Sequence, residues 1–331
     1  MSIRAFPVRH AACCLAAALA AALSLAGCSR QASREPGASA AVGSGAQVVA
    51  MESFLADFAR QVAGDRLQVR SLIPQGVEPH GYEPAPQDIA AVAGARMLIV
   101  NGAGLESFLA RLTANAAAGT PVVEASAGLS GRTAREGEVL EAGVLATGSS
   151  ADVDPHFWLN PLFAVRYVEN IRDGFARMDP AGADAYRANA EAYIVRLRDL
   201  DSWIEGQVAA IPAPARLLVT NHESLGYFAD RYGFRIVGTV IPSVSTEASP
   251  TARQLARLVD GLKAAGARAV FLETGANPQL ARQVAQEAGI KVVTELYTHS
   301  LTGPSGPAPT YLEMMRFDVK AIVDALSGGA R

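Results

Sequence analysis

The residues best equipped for chemistry in this chain are its histidines. Five occur among 331 residues, and the last four, His80, His156, His222 and His299, are separated by 76, 66 and 77 positions (156−80, 222−156, 299−222). His10 falls in an N-terminal stretch with the features of an export leader, so the other four are the candidates in the folded part. Each sits where a strand or turn signal gives way to a helical pattern, which is where α/β folds present ligand-binding side chains. Four neutral imidazoles meeting at one point would make a nitrogen-only site suited to a borderline-soft divalent cation such as zinc, at bond lengths of ~2.0–2.1 Å. The same donors suit hard Mg2+ and Ca2+ poorly and disfavour Mn2+, whereas Cu2+ and Ni2+ also accept imidazole. No H-x-x-x-H or C-x-x-C motif is present, so such a site must be assembled from distant segments.

The neighbours of these histidines sharpen the expectation. His80 lies in a loop at 76–84 with Glu78 and Glu83 nearby, and glycine and proline keep that loop tight. Asp154 precedes His156 by two and can take an imidazole N–H, which fixes the tautomer of a ligating ring. Glu78 and Glu223 are further candidates for that supporting role. Phe157, Trp158, Tyr227 and Phe228 are expected to pack around the site and exclude water. If only three imidazoles ligate, a water in the fourth position gives a hydrolytic zinc centre with Glu223 or Glu78 as base. Asn101-Gly102-Ala103-Gly104 lacks the third glycine of a dinucleotide fingerprint and reads as a tight strand-to-helix turn.

Alternating strand and helix patterns must position these side chains. Strands are predicted at 47–50, 65–73, 96–100 and 121–124, with helices at 53–63, 84–93 and 105–117. A loop at 128–153 leads to a helix at 161–178, then the longest helical pattern of the chain, 183–211. Beyond it strands at 216–220, 235–241, 269–272 and 291–294 alternate with helices at 224–232, 250–265, 277–288 and 308–326. This rhythm predicts an α/β protein of two βα lobes with parallel-rich sheets, joined by one long connecting helix, with the site in the cleft between them. The domain bounds expected are a leader at 1–27, a flexible tether at 28–46, a first lobe at 47–182, the connecting helix at 183–211 and a second lobe at 212–331. A rod joining the lobes should also restrain closure of the cleft.

The leader has Arg4 and Arg9 followed by an apolar run, and ends Leu25-Ala26-Gly27-Cys28, which reads as a bacterial lipobox cut before Cys28 so that its sulfur carries lipid. Cys13 and Cys14 leave with the leader, so no thiolate remains for a soft-metal site. Loss of the two arginines takes the formal charge from −3 to −5 (−3 − 2), with basic residues scattered, which argues against nucleic-acid binding.

Three segments resemble motifs of one family: residues 77–84, Asp154-Pro155-His156-Phe157-Trp158-Leu159-Asn160-Pro161, and residues 219–228 around Asn221-His222-Glu223. The family is that of the zinc/manganese-type solute-binding lipoproteins of bacterial ABC transporters, and the likeness runs in order from about Val48 to Leu326. It implies two lobes joined by a long helix, a metal held between them, a lipid anchor in the membrane, and delivery to a permease and its ATPase without chemistry on the metal. It also implies that His80, His156 and His222 are ligands. Manganese-type members often carry glutamate where His222 stands, so histidine there points to zinc, with a manganese or iron receptor as the alternative. The fourth ligand of the family is usually an aspartate in a motif like Tyr-Thr-Asp-Ser; here His299 occupies that place, and Glu273 is the substitute. The histidine-rich loop and second-lobe disulfide of some members are absent. Because ligating imidazoles must be deprotonated, affinity should fall with pH near the ordinary histidine value of ~6.5.

Overall fold

Short apolar runs set the two sheets. Strands β1 (Gln47–Ala50), β2 (Gln68–Ser71), β3 (Met97–Val100) and β4 (Val122–Glu124) pair in parallel in the order β2-β1-β3-β4. After the middle of the chain, β5 (Leu217–Thr220), β6 (Arg235–Thr239), β7 (Ala269–Glu273) and β8 (Lys291–Leu296) repeat that arrangement as β6-β5-β7-β8. This computed structural model describes residues 47–132 and 153–328, apart from 242, 248 and 276. The expected leader, the tether with Cys28, and residues 133–152 of the expected loop at 128–153 lie outside the described residues.

Helices cover both faces of each sheet, as parallel strands require. In the first lobe these are α1 (Ser53–Ala63), α2 (Pro86–Ala93), α3 (Leu109–Thr113) and α4 (Pro161–Met178). Helix α5 (Ala183–Val208) connects the lobes, and α6 (Gly226–Tyr232), α7 (Ala252–Ala265), α8 (Pro278–Ala288) and α9 (Tyr311–Leu326) follow. Period-two alternation along the strands separates the cores. Val48 and Ala50 of β1 and Ala269 and Phe271 of β7 face one shared core with α1, α4, α5 and α9. Val49 and Met51 face a smaller outer core, and Val270 and Leu272 face another.

The connecting helix is stitched to both lobes. Asn189 Nδ2 donates to the Val62 carbonyl, and Arg66 meets Asp179 at 2.8 Å while Tyr186 donates to the same carboxylate at 2.6 Å. At the other end Asp201 accepts from Arg231 at 3.0 and 2.6 Å and from Tyr232 at 2.8 Å.

Several element ends differ from the sequence reading. The helix expected at 105–117 is confined to Leu109–Thr113. The Glu106 carboxylate turns back to accept the N–H groups of Asn101 and Gly102, and Ala103 and Gly104 take positive φ, so the chain enters through successive turns. Helix α5 ends at Val208 rather than 211, because the residue before Pro212 is disfavoured in helical geometry. Helix α6 starts at Gly226, after Ser224 has turned its hydroxyl to Glu273. Helix α9 starts at Tyr311, where Thr310 caps the N–H of Glu313 and Asp57 of α1 accepts the N–H of Tyr311 at 2.9 Å.

Candidate metal centre

The four histidines come from the segments that follow β2, β4, β5 and β8, and they meet. His80 belongs to the loop after β2, where Ser107 Oγ donates to its carbonyl at 3.1 Å and Asp88 anchors the far end of the loop by accepting from Tyr82 at 2.6 Å. His156 stands just before a short 3-10 turn at Phe157–Leu159. His222 lies two residues beyond β5, and His299 three beyond β8.

One ligand atom from each ring lies within 4.8 Å of all the others, and the rings are 0–4% exposed. His80 Nε2 is 3.1 Å from His156 Nε2, and His222 Nε2 is 3.4 Å from the same atom. His299 Nε2 is buried with no partner. Among the described residues this is the one group of three or more histidine, cysteine or acidic side chains so gathered.

The outward nitrogens explain why Nε2 faces inward. His156 Nδ1 lies 2.7 Å from Asp154 Oδ1, as the spacing of the two residues led us to expect. Glu273, the last residue of β7, sits behind two rings at once. Its Oε1 is 3.0 Å from His222 Nδ1, within ion-pair range but off the line of a good hydrogen bond, and its Oε2 is 3.1 Å from His299 Nδ1. Ser224 and Thr298 complete its coordination with hydroxyl donors at 2.9 and 2.6 Å. The structure thus places Glu273 behind the cluster, on the Nδ1 side of its neighbours. Neither Thr298 nor Ser224 stood out in the sequence; the only signal was adjacency to His299 and near-adjacency to His222.

Glu78 Oε1 lies 3.9 Å from His80 Nε2, and its carboxylate accepts the N–H groups of His80 and Gly81 at 3.1 and 3.3 Å. Glu223 is near enough for its charge to oppose ionisation of Asp154.

Aromatic packing seals the cluster from below. Trp158 is fully buried, stacks on Phe54 at 4.3 Å between centroids, and lies 5.3 Å from the His156 ring and 5.7 Å from that of His299. Its Nε1 donates to the carbonyl of Thr298 at 2.7 Å, so one indole ties together the chain segments that carry two of the imidazoles. Phe157 stacks on Tyr227, whose hydroxyl donates to the Asp154 carbonyl at 2.7 Å.

Burial dominates the titration of the group. It pushes His80 down to about 2, with His299 and His222 adding repulsion, and holds His156 well below its ordinary value. Burial also raises Asp154 to about 8. Burial alone would lower His222, but the adjacent Glu273 overcomes it and raises that ring. Glu273 is the converse case. Burial opposes its charge, yet His222 and His299 keep it well below the usual carboxylate range. Burial thus favours the neutral form of His80 and His156, while Glu273 favours the charged form of His222.

The family described as zinc-uptake complex component A, periplasmic (ZnuA), matches residues 48–325. The manganese-binding lipoprotein MntA of Halalkalibacterium halodurans is 37% identical over 285 residues, 86% of this chain and 90% of that protein. The iron-binding protein YfeA of Yersinia pestis is 31% identical over 276 residues, 83% of this chain and 85% of the other. A solved Mn-bound periplasmic metal-binding protein from Candidatus Liberibacter asiaticus aligns with a TM-score of 0.74 at 27% identity, covering 85% of this chain and 99% of that one. With the two parallel-sheet lobes and their connecting helix, these matches place the chain in the ZnuA family of metal-binding solute-binding proteins of ABC transporters.

Proposed function

We propose that this chain is an exported, lipid-anchored receptor that captures zinc outside the cytoplasmic membrane and delivers it to an ABC permease and its ATPase. His80, His156, His222 and His299 are the ligands in this reading, and Cys28 carries the anchor. The observation that carries it is the convergence of four buried imidazoles whose inward nitrogens face one another, that of His299 with no other partner. A tetrahedron with Zn–N bonds of ~2.0–2.1 Å has N···N edges of ~3.3–3.4 Å. The 3.1 and 3.4 Å separations lie close to that edge. All four donors are nitrogen, which suits zinc better than manganese. Glu273 steadies His222 and His299 here, and His299 is the fourth ligand.

The names of the relatives favour a second reading, a manganese or iron receptor. Elemental analysis of the chain purified from cells supplied with zinc, manganese and iron separates the two. Manganese or iron as the metal recovered would overturn the zinc assignment. A parallel His299→Ala sample tests the ligand set, with an expected loss of affinity beyond the ~100-fold upper range for losing an outer hydrogen-bond partner. The buried, unpartnered Nε2 of His299 favours four ligands over the three-plus-water arrangement of a hydrolase. The role is binding and release, without catalysis.

A further inference from the structure

The closed cluster poses a problem of access. With its rings 0–4% exposed, a cation cannot reach or leave it without passing through the wall. A cavity of about 230 Å³ abuts that wall, lined by residues that include Glu78, Asn221, Thr246, Gly275 and Asn277. At ~30 Å³ per water it has room for a cation with its first hydration shell, roughly six waters or ~180 Å³. Glu78 is the one charged side chain among the described residues that line it.

Glu78 is also the boundary between cavity and cluster. Its Oε1 lies 3.9 Å from His80 Nε2, and its Oε2 accepts from Thr246 Oγ1 of the opposite lobe at 2.7 Å. The side chain is 18% exposed, more open than any ligand ring. The stretch before it is pinned across the cleft, by Gln75 Nε2 to the Thr302 carbonyl at 2.9 Å and by Gly76 N to Ser300 Oγ at 2.7 Å. Gly275, at φ +87, closes the seam so tightly that a Cβ there would lie 3.2 Å from the Gly76 carbonyl and 3.5 Å from Glu78. Of these ties across the cleft, the Glu78–Thr246 bond is the one that involves a carboxylate facing both the cavity and a ligand ring.

Resting on the metal-receptor reading, we infer that this cavity is the entrance subsite, where Glu78 takes a partly hydrated divalent cation before His80 does. The chemistry of the two stations differs in the needed direction. A carboxylate oxygen accepts an aqua ion that keeps most of its waters, whereas the imidazole cluster requires those waters to be shed. An incoming cation competes with Thr246 for the carboxylate, so its arrival loosens the latch that closes the seam. Departure retraces the same route.

The test is stopped-flow mixing of zinc ion with the metal-free full chain, using the fluorescence of the tryptophans, one of which lies beside the cluster. Glu78→Gln is expected to lower the association and dissociation rates by roughly tenfold each, at the low end of what a steering charge contributes, and to weaken the salt dependence of association. The dissociation constant moves by less than either rate. Glu78→Asp restores most of the association rate, and Thr246→Val, which frees the carboxylate, raises both rates. An unchanged association rate in Glu78→Gln beside a faster dissociation would reduce Glu78 to a support for His80 and overturn the subsite alone. Failure of the unaltered chain to bind zinc or any competing divalent metal overturns the receptor reading and the subsite with it.

Discussion

Metal binding should release protons in a pattern that four ordinary histidines would not produce. His80 is held near 2 and His156 well below its ordinary value, so both are neutral before metal arrives and contribute no titration near neutrality. Asp154 is raised to about 8, so below that pH it holds a proton in the metal-free chain. A cation on His156 Nε2 requires the ring's own proton on Nδ1, facing Asp154, and the carboxyl must then ionise to accept it. His222 is raised above its ordinary value and is protonated below that point, so its proton also has to leave. The sign is the same for both groups: each binds a proton in the metal-free state and loses it on binding, so affinity falls as pH falls. Asp154 should release one proton between about pH 8 and the His222 transition, and His222 should add a second below it. Each proton changes the apparent dissociation constant tenfold per pH unit, so two give ~100-fold, or ~2.7 kcal/mol, per unit. Chelator competition from about pH 8 to about pH 5.5 gives the slope, and titration calorimetry in buffers of different ionisation enthalpy counts the protons. Four independent imidazoles with the ordinary value of ~6.5 would give no slope above about pH 7 and approach four below it. A profile flat from pH 7 to 8 would refute the reasoning.

Glu273→Gln should weaken zinc binding by ~10–100-fold and remove one proton from the low-pH slope, since His222 loses the charge that raises it; an unchanged affinity would count against its role. Trp158→Ala should cost ~3–5 kcal/mol in denaturant unfolding. Trp158→Phe, which keeps an aromatic ring on Phe54 but strands the Thr298 carbonyl, should cost ~1–3 kcal/mol and weaken metal binding through His299. In Gly226→Ala the added Cβ would meet Asp154 Oδ2 at 2.7 Å and Arg132 at 2.6 Å, so a loss of ~1–3 kcal/mol in stability and a weaker site are expected, read by unfolding and chelator competition. Free zinc at a thousand times its dissociation constant should add ~4.1 kcal/mol to stability. At ~2.1 cal/mol/K per residue over ~285 residues this raises the melting temperature by roughly 7 °C, and chelation should reverse it.

Much of the fold is carried by local pattern. The runs Val48–Val49 and Leu98–Ile99, the alternation of helix and strand, and the uninterrupted period of α5 are short-range features, and short-range sterics and burial suffice to produce them. Element ends were harder to read because side chains from elsewhere set them, as Glu106 does in cutting α3 short and Asp57 does at the start of α9. Asp154 was legible as the partner of His156 because the two lie within one turn of chain.

The chain's residues alone supply the chemical inventory: four histidines spread along the folded part, no cysteine after Cys28 to compete, and a carboxylate two residues before one of them. What that inventory does depends on contacts between segments far apart in the chain. Glu273 and His299 are 26 positions apart (299−273), and nothing in either segment says that one carboxylate stands behind two rings from different strands. Likewise the titration of each imidazole depends on burial and on charges brought in from remote segments, because in a low-dielectric interior those terms outweigh the intrinsic value of the side chain.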